Sequence, residues 1–157
     1  MTQHGSAVPQ LKEYAMRNNL TAQAATTIKA SSEVVWNALV DPEAIKKYMF
    51  GATVTTDWQE GSPIYWKGEW NGKAYEDKGI VLHVQPTKEL EYSHYSPLSG
   101  QPDEPASYHT VKIELDEEKD RTHVVLTQDN NPTEEARQHS QKNWETMLKG
   151  LKMFVEQ

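Results

Sequence analysis

The sequence predicts a two-layer α+β domain: a curved antiparallel sheet of about six strands around one long C-terminal helix. Three observations predict it. The last 25 or so residues carry apolar side chains at helical spacing, Ala136, Ser140, Trp144, Met147, Leu148, Leu151 and Phe154, with Glu135, Gln138, Lys142, Glu145, Lys149 and Lys152 on the other side. From residue 52 to residue 128 the apolar period is two, the signature of strands. Between a first strand and this stretch, two capping signals ten residues apart, Ser31 and Asp41, open two short helices.

Taken in chain order, Ala25 to Ala30 reads as the first strand from its β-branched content. Ser31 or Ser32 caps a helix whose Val35, Trp36 and Leu39 share a face. Asp41 caps the next, with Pro42 at its first position, where the missing N–H is no loss. That helix spans Glu43 to Tyr48 and stops near Gly51. Ala52 to Trp58 is a strand closed by the turn Gln59-Glu60-Gly61-Ser62. Ile64 to Trp70 and Lys73 to Val84 flank Asn71-Gly72, a strong hairpin signal because both turn positions need positive φ. A two-residue loop sets Trp70 opposite Lys73, Gly68 opposite Tyr75 and Trp66 opposite Asp77.

Leu90 to Tyr95 is the next strand, with Leu90, Tyr92 and His94 on one face. Ser96 to Pro105, with three prolines, one glycine and two acids, is a long surface loop. Tyr108 to Leu115 and Thr122 to Gln128 form a second hairpin around the charged turn Asp116 to Arg121. The final helix opens on Asn131 as cap, Pro132 at the first position and Glu134 at the third, and runs for about 24 residues or ~36 Å. Its apolar stripe requires a sheet or a partner to cover it. Residues 1 to 22 are a lead-in, in which Leu11, Tyr14, Ala15 and Leu20 suit a short amphipathic helix; residues 23 to 157 form the one domain expected of a chain this long.

Composition narrows function. The net charge of −7 disfavours nucleic acid and anionic membranes as partners, since both present negative charge. No run approaches the ~20 apolar residues of a membrane span. Met1 to Gln10 lacks the basic and apolar runs of a secretory signal, so the cytoplasm is the expected location. With no cysteine there is no disulfide, thiolate nucleophile or Cys-ligated zinc. No phosphate-binding glycine motif and no Gly-x-Ser-x-Gly elbow occurs, and Ser93 beside His94 on a strand points to the opposite face. No histidine pair has metal-ligand spacing; only the facing strands of one hairpin offer a pair, His109 and His123, and neither a metal nor another cofactor is expected.

The order of short motifs resembles a known superfamily. Ile28-Lys29-Ala30-Ser31-Ser32-Glu33-Val34-Val35-Trp36 followed by Asp41-Pro42-Glu43 is similar to the opening of the START-related, birch-pollen-allergen-like (SRPBCC) proteins. Gly79 with Val81 and Leu82, Pro86 before Leu90-Glu91-Tyr92, and Trp144 with Leu148 and Leu151 extend the likeness over residues 24 to 157. Within the superfamily it is nearest the group that resembles the C-terminal domain of the activator of the ninety-kilodalton heat-shock-protein ATPase. Asn143 stands where a small residue is usual, and His94 where an aromatic is usual. The resemblance implies a helix-grip fold with a cavity between sheet and helix. It also implies one of two roles: binding an apolar or amphipathic small molecule, or contact with a molecular chaperone in the stress response.

The candidate lining is Ile64, Trp66, Tyr75, Tyr92, His94, Val111, Ile113, Trp144, Met147, Leu148 and Leu151, which serve equally as a plain core. A binding function calls for ~300 Å³ or more of space among them. Asp77 shares the Trp66 and Tyr75 face. It is either a solvated carboxylate near a strand end or, with His94, an acid–base pair for a pocket enzyme.

Overall fold

The computed structural model describes residues 20–157. Seven strands form one antiparallel sheet: β1 (Ala22–Ile28), β2 (Thr53–Thr55), β3 (Pro63–Trp70), β4 (Lys73–Gln85), β5 (Glu89–His94), β6 (His109–Glu118) and β7 (Arg121–Gln128). Their spatial order is β1-β7-β6-β5-β4-β3-β2. Helices α1 (Ser32–Val40) and α2 (Pro42–Tyr48) follow β1, and α3 (Glu134–Glu156) ends the chain. The α+β helix-grip architecture expected from the sequence is therefore present. The expected lead-in helix over Leu11, Tyr14 and Ala15 lies outside the described residues.

Local signals explain the boundaries. Ser31, not Ser32, caps α1: its hydroxyl accepts from the Val34 N–H at 3.3 Å. Asp41 caps α2 through the Glu43 N–H at 3.1 Å, with Pro42 in the first turn. The expected strand Ala52 to Trp58 is cut to three residues, because Trp58 takes positive φ and its indole N–H turns away to donate to the Val40 carbonyl at 3.0 Å. The Asn71-Gly72 hairpin has the expected register, with both turn residues at positive φ. The second hairpin turns later than expected: its strands pair through Glu118 and Arg121, leaving Lys119 and Asp120 as the turn.

The cap of the long helix is a correction. Thr133 is the N-cap, accepting from the Ala136 N–H at 3.0 Å, and α3 begins at Glu134. Asn131 is instead a buried bracket: its amide donates to the carbonyls of Leu20 (3.0 Å) and Gln128 (3.1 Å), and its oxygen accepts from Ser140 at 3.0 Å. Pro132 ties this bracket to the helix start.

The core lies between the concave face of the sheet and the helices. Met147, Leu148 and Leu151 of α3 are buried against Ile28, Val124, Leu126, Val111, Ile113 and Leu90, with Val35, Trp36, Leu39 and Ile45 closing one end. Each such side chain contributes about 1.5–3 kcal/mol by leaving water. Between β4 and β5 the register slips by one residue, from Val81 opposite Tyr92 to His83 opposite Glu91. Leu82 is the extra residue of this bulge, and bulges bend a strand.

Candidate functional site

The inner-face positions of β4 run Tyr75, Asp77, Gly79, Val81. Pairing of Lys78 with Tyr95 and of Val81 with Tyr92 sets Gly79 opposite His94. Gly79 offers no side chain to fill the face, so the His94 ring leans past it to Asp77. His94 Nε2 donates to Asp77 Oδ2 at 2.8 Å, and both side chains are largely buried, 22% and 14% exposed. Trp66, opposite Asp77 on β3, packs against the His94 ring edge-on at 5.1 Å and against Tyr92 at 5.1 Å. On the far side His94 stacks on His109, its cross-strand neighbour, with ring centres 6.2 Å apart.

Trp66, Asp77, Tyr92 and His94 line a cavity of about 220 Å³ between the sheet and the first half of α3. Of the expected lining, Trp66, Tyr75, Tyr92, His94 and Trp144 border it, as does Asp77. Ile64, Val111, Ile113, Met147, Leu148 and Leu151 do not; they pack deeper in the grip, where the second half of α3 closes on the sheet. The space is therefore smaller than the ~300 Å³ expected of a ligand site. Six residues outside the candidate lining also border it: Met49, Phe50, Ala52, Gln128, Ser140 and Asn143. Gln128 continues the inward alternation of Val124 and Leu126, and Ser140 was already on the α3 stripe, so both were within reach of the pattern. Met49 to Ala52 reach the cavity only because the chain reverses at Gly51, at φ +79°.

Among the described residues, three buried side-chain atoms have no hydrogen-bond partner in the protein: Asp77 Oδ1, His94 Nδ1 and Gln128 Oε1. All three belong to residues that line this one cavity. Buried polar atoms are ordinarily paired, because leaving one unpaired costs about 1–3 kcal/mol.

Electrostatics follow burial. The Tyr92 hydroxyl is pushed well above the usual tyrosine range by desolvation. Tyr75 is raised by burial and by the charge of Asp77. His109 is held below the ordinary histidine value, chiefly by burial and further by His94, against the opposing hydrogen bond to Asp129. Its Nδ1–H donates to the Asp129 carbonyl at 2.8 Å, which leaves Nε2 as the lone-pair nitrogen. His109 borders a second, more polar cavity of about 390 Å³ with Gln101, Ser107, Asn130, His139 and Ser140, and Ser140 borders both.

Other expectations resolve differently. His109 and His123 do not meet: His123 pairs with Asp116 and contacts Thr27 Oγ1 at 2.9 Å, far along β7 from the His109 end. Ser93 points away from His94, its hydroxyl accepting from the Ile80 N–H at 2.9 Å. No helix among the described residues is long and apolar enough to cross a membrane.

A curved antiparallel sheet gripping a C-terminal helix, with a cavity between them, defines a helix-grip protein of the START-related class. Residues 29–156 match the family described as Activator of Hsp90 ATPase homolog 1-like protein, and the chain belongs to that family. Among solved structures it is similar to ChR145 from Cytophaga hutchinsonii, with 57% identity and TM-score 0.77 over 88% of this chain and 95% of that one. It is also similar in fold to the Aha1 dimer from Colwellia psychrerythraea (23% identity, TM-score 0.68, 87% and 96% covered). CalU16 from Micromonospora echinospora shares the fold as well (24%, 0.69, 86% and 75%). No curated protein matches the sequence. The two departures from the family pattern, His94 and Asn143, both face the first cavity.

Proposed function

We propose that the chain binds a small amphipathic molecule in the cavity between sheet and helix. The observation that carries this is that the three unpartnered atoms, Asp77 Oδ1, His94 Nδ1 and Gln128 Oε1, all belong to residues lining one aromatic-walled space. With Nε2–H committed to Asp77, all three are acceptors. The matching ligand carries hydrogen-bond donors, a hydroxyl or amine, on a flat apolar body that sits among Phe50, Trp66 and Trp144. A cavity of 220 Å³ suits a molecule of one or two rings.

Native mass spectrometry of the full chain purified from its own host tests this. The expected result is a small-molecule adduct that Trp144→Ala loses. A bare mass, together with unmoved Trp66, His94 and Trp144 resonances on addition of small aromatic alcohols and amines, would sink the reading.

Family membership supports a second reading, contact with a molecular chaperone. Val34 on α1 and Leu98 in the loop after β5 are 47% and 40% exposed and suit a protein-facing patch. Retention of the chain on an immobilised ninety-kilodalton heat-shock chaperone, lost in Val34→Asp or Leu98→Asp, is the expected outcome; no retention counts against it.

A further inference from the structure

We infer that the cavity is a proton-transfer site, with His94 as its general base and Asp77 as the residue that positions it. This deepens the binding function proposed above and rests on it. The substrate class is a small amphipathic molecule with a C–H acidified by a neighbouring carbonyl.

The geometry has the parts this chemistry needs. A histidine base works when one ring nitrogen is anchored and the other is left as a lone pair facing the substrate. His94 Nε2 is anchored on the Asp77 carboxylate at 2.8 Å, which selects the tautomer with the lone pair on Nδ1. That Nδ1 is buried and has no protein partner, and His94 is one of the residues that line the cavity. The ring cannot swing away, because Trp66 holds its edge and His109 covers its face. The remaining Asp77 oxygen is also buried and unpartnered, so the carboxylate is held in a site shielded from bulk water.

The step balances without a co-reactant. Nδ1 takes the proton, the C–H electron pair forms the enolate double bond, and the carbonyl electron pair moves onto oxygen. Where a C=C flanks that carbon the product of this step is a dienolate; the imidazolium, stabilised by Asp77, returns the proton to its far carbon as the carbonyl re-forms, so the net change is a shift of the double bond. Asn143, across the cavity on α3, supplies an amide N–H for the enolate oxygen. The two stacked histidines suit different protonation states. His109, with a neutral carbonyl for a partner, stays uncharged beside His94 while His94 cycles against a carboxylate.

A model reaction tests this without knowledge of the natural substrate. 5-Nitrobenzisoxazole is a flat aromatic that a general base opens by removing its ring C–H. The N–O bond breaks, the nitrile forms, and the yellow cyanonitrophenolate is released. The full chain is expected to accelerate this opening, and His94→Gln to lower the rate on the order of 100-fold. His94→Ala is expected to recover part of the rate with added free imidazole. Asp77→Asn is expected to lower the rate and, in imidazole nitrogen NMR spectra, to replace the single Nε2–H tautomer by a mixture. A merely structural pair would not shift that tautomer balance.

The pH profile should show one basic limb that His94→Gln removes. The other titratable groups facing His94 are Asp77 and Tyr75 on β4, Tyr92 on β5 and His109 on β6; α3 contributes only uncharged Ser140, Asn143 and Trp144. Variant folding is checked by the melting transition. If the probe shifts the Trp66 and Trp144 indole resonances yet opens at the same rate in wild type and folded His94→Gln, the base assignment is overturned and binding stands. If the probe shifts neither indole, both the base assignment and the binding function fail.

Discussion

Gly79 and Ser93 press together across β4 and β5 so closely that a β-carbon on Gly79 would lie 1.7 Å from the Ser93 carbonyl oxygen. That oxygen is backbone and cannot step aside without moving β5. The close approach is also what brings Asp77 and His94, the inner-face residues on either side of it, within hydrogen-bond reach.

Gly79→Ala should therefore destabilise the fold by about 3 kcal/mol, the upper end for overpacking, and separate Asp77 from His94 as the strands part. Urea unfolding measures the first effect. The His94 ring nitrogen spectrum measures the second, and an unchanged tautomer in a folded variant would show that the strands need not meet so tightly.

The two ends of α3 should respond oppositely to truncation. Leu151 is fully buried, so Leu151→Ala is expected to cost about 2–5 kcal/mol and leave any ligand affinity unchanged. Trp144 borders the cavity and is only partly buried, so Trp144→Ala should cost less and act on binding. Paired denaturation and ligand titrations separate the two, and equal effects on binding would erase the division between core and cavity.

Thr133 and Asn131 can be told apart in the same way. Thr133→Ala removes a single cap bond and should cost about 1 kcal/mol. Asn131→Ala removes the side-chain donor to the Leu20 and Gln128 carbonyls and the acceptor of the Ser140 hydroxyl, leaving Leu20 only the backbone N–H of residue 131, and should cost about 1–3 kcal/mol. In thermal unfolding, a Thr133→Ala without effect would restore Asn131 as the cap, and an Asn131→Ala without effect would remove the bracket.

His109 sets a pH dependence whose sign is definite. Its folded value is depressed below 6.5, so the unfolded chain binds the proton more readily. The stability this contributes is present above the ordinary histidine value and is lost as pH falls through the folded one. Between pH ~7 and ~5, above the carboxylate range, stability should drop, and drop less in His109→Gln. The groups facing His109 are His94 and Asp129. Denaturation midpoints at the two pH values measure it, and an equal drop in both chains refutes it.

Much of the fold was legible because its signals are local. Helix starts at Ser31 and Asp41, the Asn71-Gly72 turn and the α3 stripe each depend on residues within one turn of one another. The Trp66 to Asp77 pairing followed from loop length alone. What misled was competition between local signals: Asn131-Pro132 reads as a cap, yet Thr133 two residues later has the free hydroxyl once Asn131 is drawn inward. Of the site, the strand-borne residues Trp66, Tyr75, Tyr92 and His94 were readable from the alternation, and Met49, Phe50 and Ala52 were not.

The sequence by itself determined which side chains face inward, since the periods of strand and helix assign each residue a face. Only the tertiary structure decided where the inward set is packed solid and where it stands apart. That depends on how closely α3 approaches the sheet at each turn, on a strand register that slips at Leu82, and on a backbone contact at Gly79. Such distances arise from pairing between residues far apart in the chain, and no local pattern encodes them.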